Sequence, residues 1–108
     1  MVLVERSNSL NQAQSSHQIT SSNRGIHPGA ILRKELEAIG LYQSQLATRM
    51  QRPFQAINEI IRGKKRITAE TAIQLEQELG IEANYWLYLQ AEYILQLARN
   101  AILKASLL

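Results

Sequence analysis

Gln55 and Asn58 stand three residues apart, with Phe54 just before them and Glu59 just after, so all four can face one side of a short helix near its start. Side-chain amides can bond an adenine edge through two hydrogen bonds, and an aromatic ring can meet a thymine methyl. Glu59 is open to two readings: it can accept from a cytosine amine, or bond a neighbouring lysine or arginine. Arg62-Gly63-Lys64-Lys65-Arg66 follows directly, a basic turn suited to phosphate oxygens. Gln43 opens the preceding helical segment, where free backbone amides allow a further phosphate contact. The set points to chemistry without bond making: reading base edges while holding a phosphate backbone.

Other chemistries lack their residues. With no cysteine, disulfides and thiolate metal sites are excluded, which fits a reducing cytoplasm. His17 lies in a polar tract and His27 at the start of the fold, and neither has metal-ligand spacing. Glu35 and Glu37, two apart on a helix, point away from each other and make no carboxylate pair. Serines crowd the N-terminal tract without a base to activate one, and the glycines are single, so no phosphate-cradling loop is present. The chain is therefore expected not to be an enzyme, and to need no metal and no cofactor.

A length of 108 residues leaves room for one domain, and the net charge of +3 is modest. The distribution of charge is not. Six basic residues (Arg49, Arg52, Arg62, Lys64, Lys65, Arg66) and one acid, Glu59, lie between Arg49 and Arg66. From Ile67 to Ala98 there are five glutamates and no lysine or arginine. Such runs are often no more than a solvated face; a basic block beside an acidic one also suits one end meeting a polyanion. The opening Met1-Val-Leu-Val-Glu5-Arg6 is too short and too soon charged to read as a signal peptide. No uncharged stretch is long enough for a membrane span, so a cytoplasmic location without membrane contact is expected.

The elements that must position these residues read as helices. Residues 1–25 are expected to form a flexible polar arm, since Ser, Asn, Gln and Thr bury too little surface to offset the entropy of ordering them. An arm touching the DNA backbone or minor groove is the alternative, and a strand pattern is conceivable only at residues 1–5. The folded domain is expected over 26–108. Pro28 or its neighbours open a helix carrying Ile31, Leu32, Leu36 and Ile39, stopped at Gly40. A second runs from about Tyr42 to Met50 with Leu46, Ala47 and Met50 inward; Pro53 starts a third with Ile57, Ile60 and Ile61, closed at Gly63. Thr68 is the expected N-cap of a fourth, which carries Ala72, Leu75 and Leu79 and stops at Gly80. The last covers about 83–105. Helices two and three, joined by Gln51-Arg52-Pro53, are too short and too tightly linked to lie as an antiparallel hairpin. They must cross steeply, as a helix-turn-helix over about 42–63 does. The fold class is all-α, with five helices.

These residues carry a family resemblance. Tyr42 to Thr68 resembles the helix-turn-helix of the lambda-repressor/Cro superfamily, the XRE family. His27-Pro28-Gly29, Ile57-Asn58-Glu59-Ile60, Gly63-Lys64-Lys65-Arg66-Ile67-Thr68 and Tyr85-Trp86-Leu87-Tyr88-Leu89-Gln90 together resemble its HigA/VapI antitoxin branch, over about 25–99. The resemblance implies a lambda-repressor-like domain with a long C-terminal helix, a homodimer that binds and represses its own palindromic operator, and a partner toxin. That toxin would be a small ribosome-dependent mRNA endonuclease, blocked in the complex. Gln55, Asn58, Phe54 and Arg52 are then the expected base-reading positions, with Gln43, Lys64, Lys65 and Arg66 toward phosphate. Two departures stand out. Gln51 occupies a turn position where the superfamily usually has glycine at positive φ, which costs about 1 kcal/mol or changes the turn. The branch's usual basic-glycine step reads Lys65-Arg66, adding a charge.

The last helix is apolar nearly all round, although one packing on a small bundle buries only a stripe. Trp86, Leu87, Leu89, Tyr93, Ile94, Leu97 and Ala98 read most simply as core. The surplus, chiefly Leu95, Ile102 and Leu103, suggests a two-fold dimer interface; beyond Arg99 a frayed tail is the alternative. A dimer would set two recognition helices about 34 Å apart, in successive major grooves. Competing readings are a stand-alone XRE-family regulator without a toxin, and a protein-interaction module in which the helix-turn-helix is scaffold only.

Overall fold

Residues 25–107 are described by the computed structural model, so the polar arm and its apolar first residues lie outside the described part. Five helices follow one another there without a strand: α1 Pro28–Ile39, α2 Gln43–Arg49, α3 Phe54–Ile61, α4 Ala69–Leu79 and α5 Ala83–Leu107. The all-α class and the order of elements match the expectation. Pro53 differs by one position: at φ −61° and ψ 147° it is the extended N-cap, and α3 begins at Phe54.

The first three helices end in the same way. After each, one residue takes a positive φ, the next N–H reaches back to the carbonyl five residues earlier, and the helix cannot continue. Leu41 N–H donates to Leu36 O (2.9 Å), Arg52 N–H to Ala47 O (2.9 Å) and Lys64 N–H to Glu59 O (2.8 Å). The positive-φ residues are Gly40, Gln51 and Gly63, with φ of 70°, 55° and 76°. Gln51 therefore keeps the geometry a glycine would give, and the turn is not rerouted. A side chain in that region costs about 1–2 kcal/mol, while a glycine loses about 0.5–1 kcal/mol of unfolded-state entropy. Gln51→Gly should raise stability by roughly 0.5–1 kcal/mol, a gain of a few degrees in Tm. A thermal melt no higher than the parent's would mean that the turn bears no such strain.

Ile31, Leu32, Leu36, Leu46, Ala47, Met50, Ile57, Ile60, Ile67, Ala72, Leu75, Ile81, Trp86 and Leu89 form one continuous core. α3 packs on α1 and α2, while α4 and α1 pack on α5. Thr68 caps α4 by accepting from Thr71 N–H at 3.3 Å. Some residues expected inward are not. Ile39, in the last turn of α1, is 60 % exposed, because Gly40 turns the chain away before another element covers it. Ile94 and Leu97 are also exposed. α5 is 25 residues long, about 37 Å at 1.5 Å per residue, and the bundle covers only its first part: its buried residues are Trp86, Leu89 and Gln90. The tail beyond Arg99 is helical to Leu107.

Candidate nucleic-acid interface

α3 is held by its inner face and offers its outer one. Ile57, Ile60 and Ile61 are buried, whereas Phe54 and Gln55 at the N-terminal end are exposed. Its position is set at the far end by a close backbone approach. Gly29 in α1 lies so near α3 that a Cβ built on it would stand 1.8 Å from the Ile60 carbonyl oxygen. Only glycine lets the two backbones meet in this way.

The side chains marked out by the sequence form two groups. Asn58 Nδ2 donates to Gln43 Oε1 at 2.9 Å, joining the recognition-helix amide to the first residue of α2. The bond leaves the Gln43 amide protons and the Asn58 carbonyl oxygen able to meet another partner. Gln55 Nε2 donates to a Glu59 carboxylate oxygen at 3.2 Å, one turn along the exposed face. Glu59 makes no ion pair with lysine or arginine among the described residues. Phe54, Gln55, Asn58 and Gln43 thus lie together, three of them already oriented by hydrogen bonds. Arg52 points elsewhere. Its Nε donates to Gln74 on α4, its Nη2 lies 3.5 Å from Glu70, and Gln74 Nε2 in turn donates to Met50 O at 3.2 Å. Arg52 fastens the helix-turn-helix turn to α4.

The basic loop follows α3 immediately. Arg62, Lys64, Lys65 and Arg66 are all exposed, and none forms an ion pair among the described residues. The loop backbone is nevertheless fastened: Lys64 and Lys65 N–H both donate to Glu59 O, at 2.8 and 3.2 Å. Ile67, at its end, is buried, and its N–H donates to Gln90 Oε1 of α5 at 2.9 Å. Unpaired cations on a fixed backbone beside exposed amides can hold phosphates while the amides meet base edges.

His27 and Gln90 were not legible as site residues. His27 is the N-cap of α1: its Nδ1 accepts from Gly29 N–H at 2.9 Å. Its ring meets Tyr93 edge-on, with centroids 4.9 Å apart. Burial lowers its pKa from the ordinary 6.5, against a backbone hydrogen bond with Lys65 that raises it. Since the folded protein favours neutral His27, its contribution to stability is complete above pH 6.5 and fades as the pH falls through the lowered folded-state value. The melting temperature should therefore drop on mild acidification below about pH 6.5, before carboxylates titrate. In His27→Asn, which keeps a cap but does not titrate, that part of the drop should vanish; an unchanged pH profile would exclude His27 as its source.

On α5, Leu95 is 44 % exposed and Ile102 68 %. Tyr88, Leu95 and Ile102 recur every seven residues and so share one face, opposite Trp86 and Leu89. Leu103, 61 % exposed, lies about 100° around the helix from Ile102. Among the described residues no His, Cys, Asp or Glu cluster could hold a metal ion, and no helix is long and apolar enough to cross a membrane.

Comparisons with known proteins agree with this arrangement. A family model described as helix-turn-helix matches residues 32–86. Virulence-associated protein I of Dichelobacter nodosus is 43 % identical over 76 residues, covering 69 % of this chain and 70 % of that protein. Among solved structures, an addiction module antidote protein of a HigA family from Coxiella burnetii superimposes with a TM-score of 0.71 at 35 % identity, over 76 % of this chain and 90 % of that one. The Pseudomonas aeruginosa antitoxin HigA, solved with the higBA promoter, gives 0.70 at 36 % identity, over 76 % and 90 %.

Proposed function

The chain belongs to the helix-turn-helix family, in the HigA/VapI-type branch of the lambda-repressor/Cro superfamily, and from that membership we propose that it is a DNA-binding antitoxin. In this reading a cytoplasmic homodimer binds a palindromic operator, represses its own operon, and neutralises a cognate mRNA-endonuclease toxin by direct binding. One observation supports the DNA half above others: Gln55 and Phe54 stand exposed beside the Asn58–Gln43 pair, immediately ahead of a fastened loop of free cations. The similar Pseudomonas antitoxin was solved with promoter DNA.

The roles follow from the chemistry. Gln55 and Asn58 read base edges, Phe54 meets a thymine methyl, and Gln43 holds Asn58 in place while turning its amide toward a phosphate. Lys64, Lys65 and Arg66 supply the phosphate contacts, and Arg52 acts through the turn by its bonds to α4. Leu95 and Ile102, with Leu103 at the flank, supply the dimer contact, since an apolar face this long is seldom left to water. The toxin half rests on membership of the branch. Its test is co-expression with the small reading frame beside the gene. Growth arrest by the neighbour alone, rescue by this chain, and co-purification of the two would support it. A harmless neighbour that forms no complex would leave a stand-alone regulator.

A further inference from the structure

His27-Pro28-Gly29 and the run ending at Gln90 lie off the recognition helix, yet both reach the loop that carries the free cations. Gln90 is 7 % exposed and approaches from α5, accepting Ile67 N–H at 2.9 Å. His27 approaches from the start of α1. Its ring lies over Gly63, where a Cβ would stand 3.7 Å from His27 Cγ. It is braced edge-on by Tyr93 and shares a hydrogen bond with the Lys65 backbone. With Nδ1 already accepting from Gly29 N–H, Nε2 is the nitrogen left to donate toward that loop. We propose that His27 is a positioning residue for DNA binding, a clasp that fixes the backbone of residues 63–66 so that Lys64 and Lys65 meet the phosphates already ordered. The proposal rests on the DNA reading above.

The physical case is one of preorganisation. Lys64, Lys65 and Arg66 are exposed, and a loop free to move would have to be ordered at the moment of binding, weakening the complex. Within α3 itself only the Glu59 carbonyl restrains this stretch beyond Gly63. The remaining restraints come from His27 and Gln90, on the two helices against which the loop lies.

The cap and the clasp can be separated. Asparagine is a good N-cap and can accept from the same N–H, but has no ring to lie over Gly63 or reach Lys65. His27→Asn should keep the helical spectrum and α1 amide protection, whereas Lys64 and Lys65 amides should exchange about tenfold faster. Titrated with duplex from upstream of its own gene, it should bind about tenfold more weakly, with a salt slope shallower by about one. His27→Ala, lacking both roles, should lose α1 protection as well. A His27→Asn protein with parental exchange and parental binding would overturn the clasp. A parent that binds no duplex overturns the DNA reading instead; in that case unchanged exchange at Lys64 and Lys65 would still overturn the clasp, and faster exchange would still support it.

Discussion

Replacing Gly29 by alanine should destabilise the protein by about 3 kcal/mol or more, although the same change in most helices is favourable. On propensity alone alanine gains about 0.5–1 kcal/mol over glycine inside a helix. Here the new methyl would stand 1.8 Å from the Ile60 carbonyl oxygen, 2.7 Å from its carbon and 3.0 Å from Ile61 Cα. These are backbone atoms, so no side chain can swing aside; α1 and α3 must separate, opening a core filled by Leu32, Ile57 and Ile60. Against a total stability of about 5–15 kcal/mol for a small domain, that loss unfolds much of the population or displaces the recognition helix. Gly40→Ala is the control. Its φ is 70° with nothing within 4 Å of a Cβ, so it should cost only the strain of that conformation, about 1–2 kcal/mol. Chemical denaturation of both variants checks the ordering, and a Gly29→Ala protein as stable as the parent would contradict the packing of α1 on α3.

Removing Lys64 and Lys65 together should change the salt dependence of operator binding, rather than its sequence preference. Both are exposed and unpaired among the described residues, so their loss leaves no buried partner behind. If each neutralises one phosphate, Lys64→Ala/Lys65→Ala flattens the plot of log affinity against log salt by about two units. The gap widens as salt is lowered, to roughly 60-fold near 0.1 M if the two lines meet at 1 M. Fluorescence anisotropy over a salt series measures the slope directly. A variant that is weaker at every salt by a constant factor would place both lysines away from the phosphates.

The elements were legible because their ends are written in residue types with one dominant use. Pro28, Gly40, Gly63, Thr68 and Gly80 mark starts and stops that local chemistry alone enforces. The turn at Gln51 was half legible: the departure from glycine was visible, but whether the chain would accept a left-handed glutamine or change its path depended on the packing of α2 on α3. Other features are tertiary. Gly29 reads as an ordinary first-turn glycine until α3 arrives against it. His27 belongs to no preferred class of cap, and its signal was only the Pro-Gly that follows. Gln90 stood out as the one amide closing the apolar run Tyr85 to Leu89, which should have marked it as reaching for a buried backbone group. Arg52 looked like a neighbour of the reading residues by position in the chain, but Gln74 and Glu70, about twenty residues on, draw it to α4. The exposed half of α5 follows from length: the four shorter helices cannot cover a rod of 25 residues.

Sequence-specific recognition by the α3 face is most directly tested by titrating the parent and Gln55→Ala against duplex from upstream of the gene and against a scrambled duplex of equal length. The account predicts that the parent prefers its own duplex, and that Gln55→Ala loses about 1–3 kcal/mol on it while keeping the parent's weak affinity for the scrambled one. Equal binding of the two duplexes by the parent, or a Gln55→Ala protein that discriminates as well as the parent does, would contradict it.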